Sequence, residues 1–212
     1  MHKFKDFIIS PQITKLNRFN PKLRIAVLAS GKGSNFQNLV NLSRDGILDI
    51  EIIKLITNKT NAECINKAIS SKIKYEVIND KDFKNIDEFE NQIINALSNN
   101  NIELIVLAGW MKILTERFIN SFRNRIINIH PSILPSFKGN KSIERAFINK
   151  SLITGCSVHF VVPEVDSGEL IVQAALAIKR DENIEDLQKR MHSLEHIILP
   201  QGISKAGLII RG

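Results

Sequence analysis

Three short apolar runs, residues 25–29, 50–56 and 102–108, alternate with stretches of helical spacing from residue 34, over 62–71 and over 86–97, and a short strand signal falls at 74–78. Near-continuous apolar runs mark strands buried on both faces, and such strands joined through helices belong to a parallel sheet covered on both sides. Beyond Gly109 the signals crowd together. A helix is predicted over 115–122, a strand over 125–129 running into His130-Pro131, and a helix over 142–149. Two longer strands at 155–162 and 170–177 lie close enough to predict antiparallel pairing at one edge. The last helix, over 184–199, is expected to stop at Pro200 and Gly202. The expected fold is a single α/β domain with a mostly parallel twisted sheet, Rossmann-like in its N-terminal half, helices on both faces and an antiparallel edge in the C-terminal half. A chain of 212 residues buries roughly 70% of its unfolded surface, so this core needs no disulfide or metal.

Residues 1–23 lie outside this pattern. They carry Lys3, Lys5, Lys15, Arg18 and Lys22 against one acid, Asp6, and lack the continuous apolar stretch of a secretory signal. The reading taken is a loosely ordered extension ending near Pro21, followed by one domain over 24–212; a basic transit peptide is the competing reading. Cys64 and Cys156 are far apart and outside any C-x-x-C, which excludes a disulfide scaffold or zinc ribbon and fits a reducing, cytoplasmic setting. No apolar run is long enough to span a bilayer. The net charge of +7 favours anionic partners, but the lysines are scattered, and one Trp and one Tyr are too few for base stacking. Small anionic metabolites are therefore expected, not nucleic acid or membrane.

Three segments carry candidate chemistry. Ser30-Gly31-Lys32-Gly33-Ser34-Asn35 joins the first run to the first helix, where unpaired N–H groups and the helix dipole suit an anion, and Ser34 or Asn35 could cap the helix. It is not a dinucleotide fingerprint, because Phe36 stands where the third glycine belongs. Nor is it a Walker A loop, because lysine precedes the glycine. A single-phosphate site and an ordinary tight turn both remain open. The second segment, Asn128-Ile129-His130-Pro131-Ser132, ends a strand with two polar side chains on one face. An amide can donate to a developing oxyanion, and an imidazole exchanges protons near neutral pH. The third, Val161-Val162-Pro163-Glu164-Val165-Asp166-Ser167-Gly168, is a turn-like stretch between strands; an acid there would favour the imidazolium of His130 and raise its pKa.

These segments occur in one order with Leu107-Ala108-Gly109-Trp110-Met111-Lys112-Ile113-Leu114 and Ser157-Val158-His159-Phe160-Val161. Together, over residues 24–204, they closely resemble the phosphoribosylglycinamide formyltransferase family, folate-dependent enzymes of purine synthesis. Asn-x-His-Pro-Ser is shared with other enzymes of 10-formyltetrahydrofolate, and the Gly-x-Gly-Ser-Asn loop discriminates among them. The resemblance implies formyl transfer from 10-formyltetrahydrofolate to the amine of glycinamide ribonucleotide, without metal, by a monomer or homodimer. It places Gly33, Ser34 and Asn35 on the substrate phosphate, with His192 on the same side and Glu195 at the ribose or glycinamide end. Met111, Lys112, Ile113 and Leu114 would line the folate pocket with Asn128, Val162, Pro163, Glu164, Val165 and Asp166. Asn128, His130 and Asp166 would be catalytic. The alternative is a formyltetrahydrofolate deformylase using the same Asn/His/Asp set with water.

The chain departs from the family pattern at Phe137-Lys138-Gly139-Asn140-Lys141, where many members have Tyr-Pro-Gly-x-His. It departs again at Lys112, usually arginine, and near Ile86, where an arginine thought to meet the folate glutamate tail is expected. Two rival constellations are weak. Cys156 and His159 fall on opposite faces of a strand. His192 and His196 have zinc-compatible spacing, but neighbouring Glu195 faces elsewhere on the helix.

Overall fold

The computed structural model describes residues 7–98 and 101–212. In chain order the first half runs β1 (Phe7–Ser10), β2 (Leu23–Leu28), α1 (Ser34–Arg44), β3 (Ile50–Thr57), α2 (Cys64–Ser70), β4 (Tyr75–Val77), α3 (Ile86–Ser98) and β5 (Leu104–Leu107). The second half runs α4 (Glu116–Ser121), β6 (Ile126–His130), α5 (Ser142–Ile148), β7 (Ile153–Phe160), β8 (Leu170–Ala177) and α6 (Ile184–Arg211). All eight strands form one sheet in the order β1-β8-β7-β6-β5-β2-β3-β4. Pairing from β6 through β5, β2 and β3 to β4 is parallel, and β6–β7, β7–β8 and β8–β1 are antiparallel. The expected architecture therefore holds, including the antiparallel edge.

The apolar runs work as their pattern predicts. Along β2, Ile25 and Val27 enter one buried cluster and Ala26 and Leu28 the other, because alternate residues point to opposite faces. The first cluster packs Phe36 and Leu39 of α1 and Leu194, Ile198 and Ile203 of α6 on the sheet. The second packs Phe89 and Ile93 of α3 and Phe118 of α4. The chain leaves β2 for β3 on one side and later returns to β5 on the other, so the carboxyl ends of β2 and β5 bound a switch point, where such sheets leave a crevice for ligands. Ser30 N–H donates to the Gly109 carbonyl at 3.0 Å across that crevice. Among the described residues no helix is long and apolar enough to cross a membrane.

Two expectations are corrected. Residues 7–23 are not a loose extension. β1 pairs with β8 from Phe7↔Leu176 to Ser10↔Gln173. The Asn17 backbone N–H donates to Ser204 Oγ at 2.7 Å, and Phe19 is buried with its N–H on Asp49 Oδ2 at 2.8 Å. Arg211 donates to the Pro21 carbonyl at 2.7 Å and, through Nε, to Glu103 at 2.8 Å. The basic charge count hid an apolar run, Phe7-Ile8-Ile9, long enough to form an edge strand. What was expected of residues 1–6 lies outside the described residues.

The last helix does not end at Pro200 but runs to Arg211. A proline inside a helix frees the carbonyl four residues earlier. That carbonyl belongs to His196, and it accepts from Asn38 Nδ2 of α1 at 2.9 Å, so the break is bridged from a neighbouring helix. Gly202, read as a stop signal, is a contact point instead: a Cβ there would lie 2.5 Å from Val158 Cγ1 in β7. Gly202→Ala should destabilise the fold by about 1–2 kcal/mol, because overpacking outweighs the roughly 1 kcal/mol gained in helix propensity. Chemical denaturation of the two proteins measures the difference, and an unchanged or more stable variant contradicts this packing.

Candidate active site

The glycine loop is built by a steric demand. Gly33 caps α1 at φ 67, a left-handed conformation, and a Cβ on it would sit 2.5 Å from Cys64 Cβ at the start of α2. Two backbones thus meet under the loop, which leaves the first turn of α1 presented outward with no side-chain cap among the described residues. Ser34 and Asn35 are helical residues, not caps, which corrects one expectation. Asn35 is buried and turns inward: its Nδ2 donates to Glu195 Oε2 at 2.9 Å, while its Oδ1 is buried without a partner among the described residues. The structure therefore brings Asn35 and Glu195 together. Burial pushes the Glu195 carboxyl up to about 7, with the Asn35 amide opposing. His192 is exposed beside them, and partial burial followed by the charge of Lys32 pulls its pKa down. Lys32 therefore places a positive charge close to His192 at the loop.

Asn128 and His130 project from the carboxyl end of β6 and meet on one carboxylate. His130 Nδ1 lies 3.3 Å from Asp166 Oδ2, and Asn128 Nδ2 donates to Asp166 Oδ1 at 3.4 Å. The other His130 nitrogen, Nε2, lies 3.0 Å from the Phe137 carbonyl. A carbonyl only accepts, so Nε2 carries the hydrogen there. Burial lowers the His130 pKa, and the Phe137 carbonyl and Asp166 only partly restore it. The expected rise is thus reversed, because the ring is only 6% exposed. Burial alone would raise Asp166. The hydrogen bond from His159, the Gly139 N–H and the charge near His130 outweigh it and hold the carboxyl below its ordinary value.

His159 completes the cluster and was not among the expected site residues. Its Nε2 lies 3.2 Å from Asn128 Nδ2 and 3.6 Å from Asp166 Oδ1, and its Nδ1 faces the Phe160 carbonyl at 2.8 Å. The available signal was the register of the antiparallel edge, in which Asn128 pairs directly with His159. Weighing His159 only as a partner for Cys156 missed it. Cys156 lies on the other face, in the cluster beneath α6. Ser157 holds the turn after β6, its Oγ donating to the Ser132 carbonyl at 2.7 Å and accepting from Leu134 N at 3.1 Å.

The residues assigned to folate fall in two groups. Met111 and Ile113 are 68% and 72% exposed, and Val162 and Val165 are also exposed, so apolar surface lies open around the cluster. Leu114 is instead buried beneath them, in the second core cluster. Lys112 is bound within the protein: its Nζ lies 2.6 Å from Asp80 Oδ2, and Asp80 Oδ1 accepts from the buried Asn58 at 3.3 Å. Pro163 and Glu164 are exposed on the turn before Asp166. Among the described residues no group of three or more His, Cys, Asp or Glu could hold a metal ion, and Glu195 faces Asn35, not His192 or His196.

Comparison with known proteins adds a second line to this geometry. The formyl transferase family model matches residues 23–203. The human trifunctional purine biosynthetic protein adenosine-3 is 40% identical over 182 residues, 86% of this chain and 18% of that protein. This chain therefore spans under a fifth of the length of such curated relatives. Among solved structures, glycinamide ribonucleotide transformylase 1 from Symbiobacterium toebii superposes with a TM-score of 0.86 at 30% identity, covering 94% of each chain. Phosphoribosylglycinamide formyltransferase from Bacillus halodurans gives 0.83 at 30% identity, covering 86% of this chain and 94% of the other. The conserved architecture thus extends over nearly the whole of each bacterial enzyme, and the chain belongs to the formyl transferase family and, within it, to the phosphoribosylglycinamide formyltransferases.

Proposed function

We propose that this enzyme transfers the formyl group of 10-formyltetrahydrofolate to the amine of glycinamide ribonucleotide, using Asn128, His130 and Asp166. The observation that carries this reading is the convergence of Asn128, His130 and His159 on Asp166, within 3.3–3.6 Å, in the fold whose glycine turn opens α1. The first turn of α1 supplies backbone N–H groups to the ribonucleotide phosphate, and Lys32 and His192 stand beside it. Glu195 accepts from the substrate's hydroxyl or amide hydrogens. The exposed Met111, Ile113, Val162 and Val165 supply apolar surface for the pterin.

The amine attacks the formyl carbon, and the carbonyl oxygen becomes a tetrahedral oxyanion. Asn128 Nδ2 and the His130 ring, once protonated, donate to that oxygen, and removing one such donor costs about 3–4 kcal/mol of barrier in other enzymes. With its lowered pKa the free His130 ring is neutral at neutral pH and able to accept a proton. The proton lost by the attacking amine passes to His130 as the oxyanion forms, and Asp166 balances the resulting imidazolium. As the bond from the formyl carbon to N10 breaks, that proton moves on from the imidazolium, through a water that Asp166 orders, to N10 of the leaving folate. Neither a metal nor a covalent enzyme intermediate takes part in these steps.

The test is the rate of 10-formyltetrahydrofolate loss with and without glycinamide ribonucleotide. Loss is expected only with the ribonucleotide present. Equal loss in its absence would make the protein a deformylase and eliminate the transferase reading. A phosphate-binding turn argues against that alternative, since water needs no anchor.

A further inference from the structure

Asp166 stands at one of two strained segments that interlock. It is a non-glycine residue at φ 50, and the segment facing it carries Phe137 at φ 54, Gly139 at φ 79 and Lys141 at φ 55. Left-handed conformations at such residues persist only where the surroundings over-determine them. Lys138 supplies the tie between the segments. Its Nζ lies 2.5 Å from Ser167 Oγ and 3.3 Å from Glu164 Oε1, residues on either side of Asp166. Its own carbonyl accepts from Arg145 Nη1 at 2.6 Å, which anchors the segment to α5. The neighbouring Gly139 N–H donates to Asp166 Oδ2 at 2.7 Å, and the Phe137 carbonyl meets His130.

We propose that Lys138 is a positioning residue: its ammonium clamps the 137–139 segment to the 164–167 turn and so fixes the Asp166 carboxylate between His130 and His159. The inference rests on the catalytic reading of His130 and Asp166 given above. A lysine suits the task because an ammonium has three donors on a flexible stem and can reach a hydroxyl and a carboxylate at once. The residue belongs to this chain's departure from the Tyr-Pro-Gly-x-His pattern, where a proline offers no such donor. Glu164 is highly exposed, so the ion pair itself adds little to stability. Its consequence lies in where Asp166 sits.

The test compares wild type, Lys138→Met and Lys138→Arg as full-length proteins. Lys138→Met should lower kcat about 10-fold, since small misplacements of reacting groups are costly, with KM for the ribonucleotide within about twofold. The thermal midpoint should move by no more than about 2 °C, as for loss of an exposed pair. NMR-detected exchange of the Gly139 amide should speed up about 10-fold as its bond to Asp166 loosens. Lys138→Arg should recover most of both losses. An unchanged kcat, an unchanged Gly139 exchange rate, or equal losses in both variants overturns the proposal. A wild-type protein indifferent to the ribonucleotide sinks the functional reading instead, and the Gly139 exchange rates still decide whether the clamp exists.

Discussion

His130→Ala is expected to lower kcat about 1,000-fold, the combined scale of a lost oxyanion donor and a lost proton carrier. Ribonucleotide binding should change little, because the residues proposed to hold it lie on α1 and α6, not on β6. The variant also leaves Asp166 with one partner fewer, so its fold should be checked by thermal melting. Asp166 keeps the Gly139 N–H, Asn128 and His159, which limits the loss. Isothermal titration with the ribonucleotide separates binding from turnover. A variant that retains more than a tenth of wild-type kcat is incompatible with the mechanism.

Glu195→Gln is expected to divide stability from activity, and the division depends on pH. Folded, Glu195 titrates near 7; its ordinary value is 4.5. Between those values the folded protein holds a proton that the unfolded chain has released, so stability falls as pH rises through that window. The full difference corresponds to about 3 kcal/mol above pH 7. Glutamine does not ionise, and its amide can donate to the unpartnered Asn35 Oδ1 while its oxygen accepts from Nδ2. The variant should therefore match wild type near pH 5 and exceed it by up to about 3 kcal/mol at pH 8. Its KM for the ribonucleotide should rise about 10-fold, because a charged acceptor becomes a neutral one. Denaturant titrations at the two pH values decide the first part, and a stability gap that does not widen with pH contradicts it.

Much of the fold was legible because burial on both faces imposes apolar runs on β2, β3 and β5, and nothing else in a chain of this size needs them. Helix ends were less legible. Pro200 and Gly202 are stop signals on the local scale, yet Asn38 from another helix takes the orphaned carbonyl and Val158 takes the space beside the glycine. Those partners lie far away in sequence. In the site, the i, i+2 spacing of Asn128 and His130 was enough to place them on one face. His159 needed the register of β6 against β7, which no local pattern fixes. The pKa of His130 was misread because a neighbouring acid is visible in sequence and the depth of burial is not. The inward turn of Asn35 was hidden for the same reason: its partner, Glu195, is on the last helix.

The pairing of β1 with β8 has a practical consequence for anyone shortening the chain to the family-matched region, which begins at residue 23. Trimming there would strip β8 of its outer neighbour and bare a row of amides and carbonyls along residues 173–176. Unprotected strand borders of this kind recruit other chains. A trimmed protein should consequently come off a sizing column as multimers or precipitate, even with its reaction centre untouched.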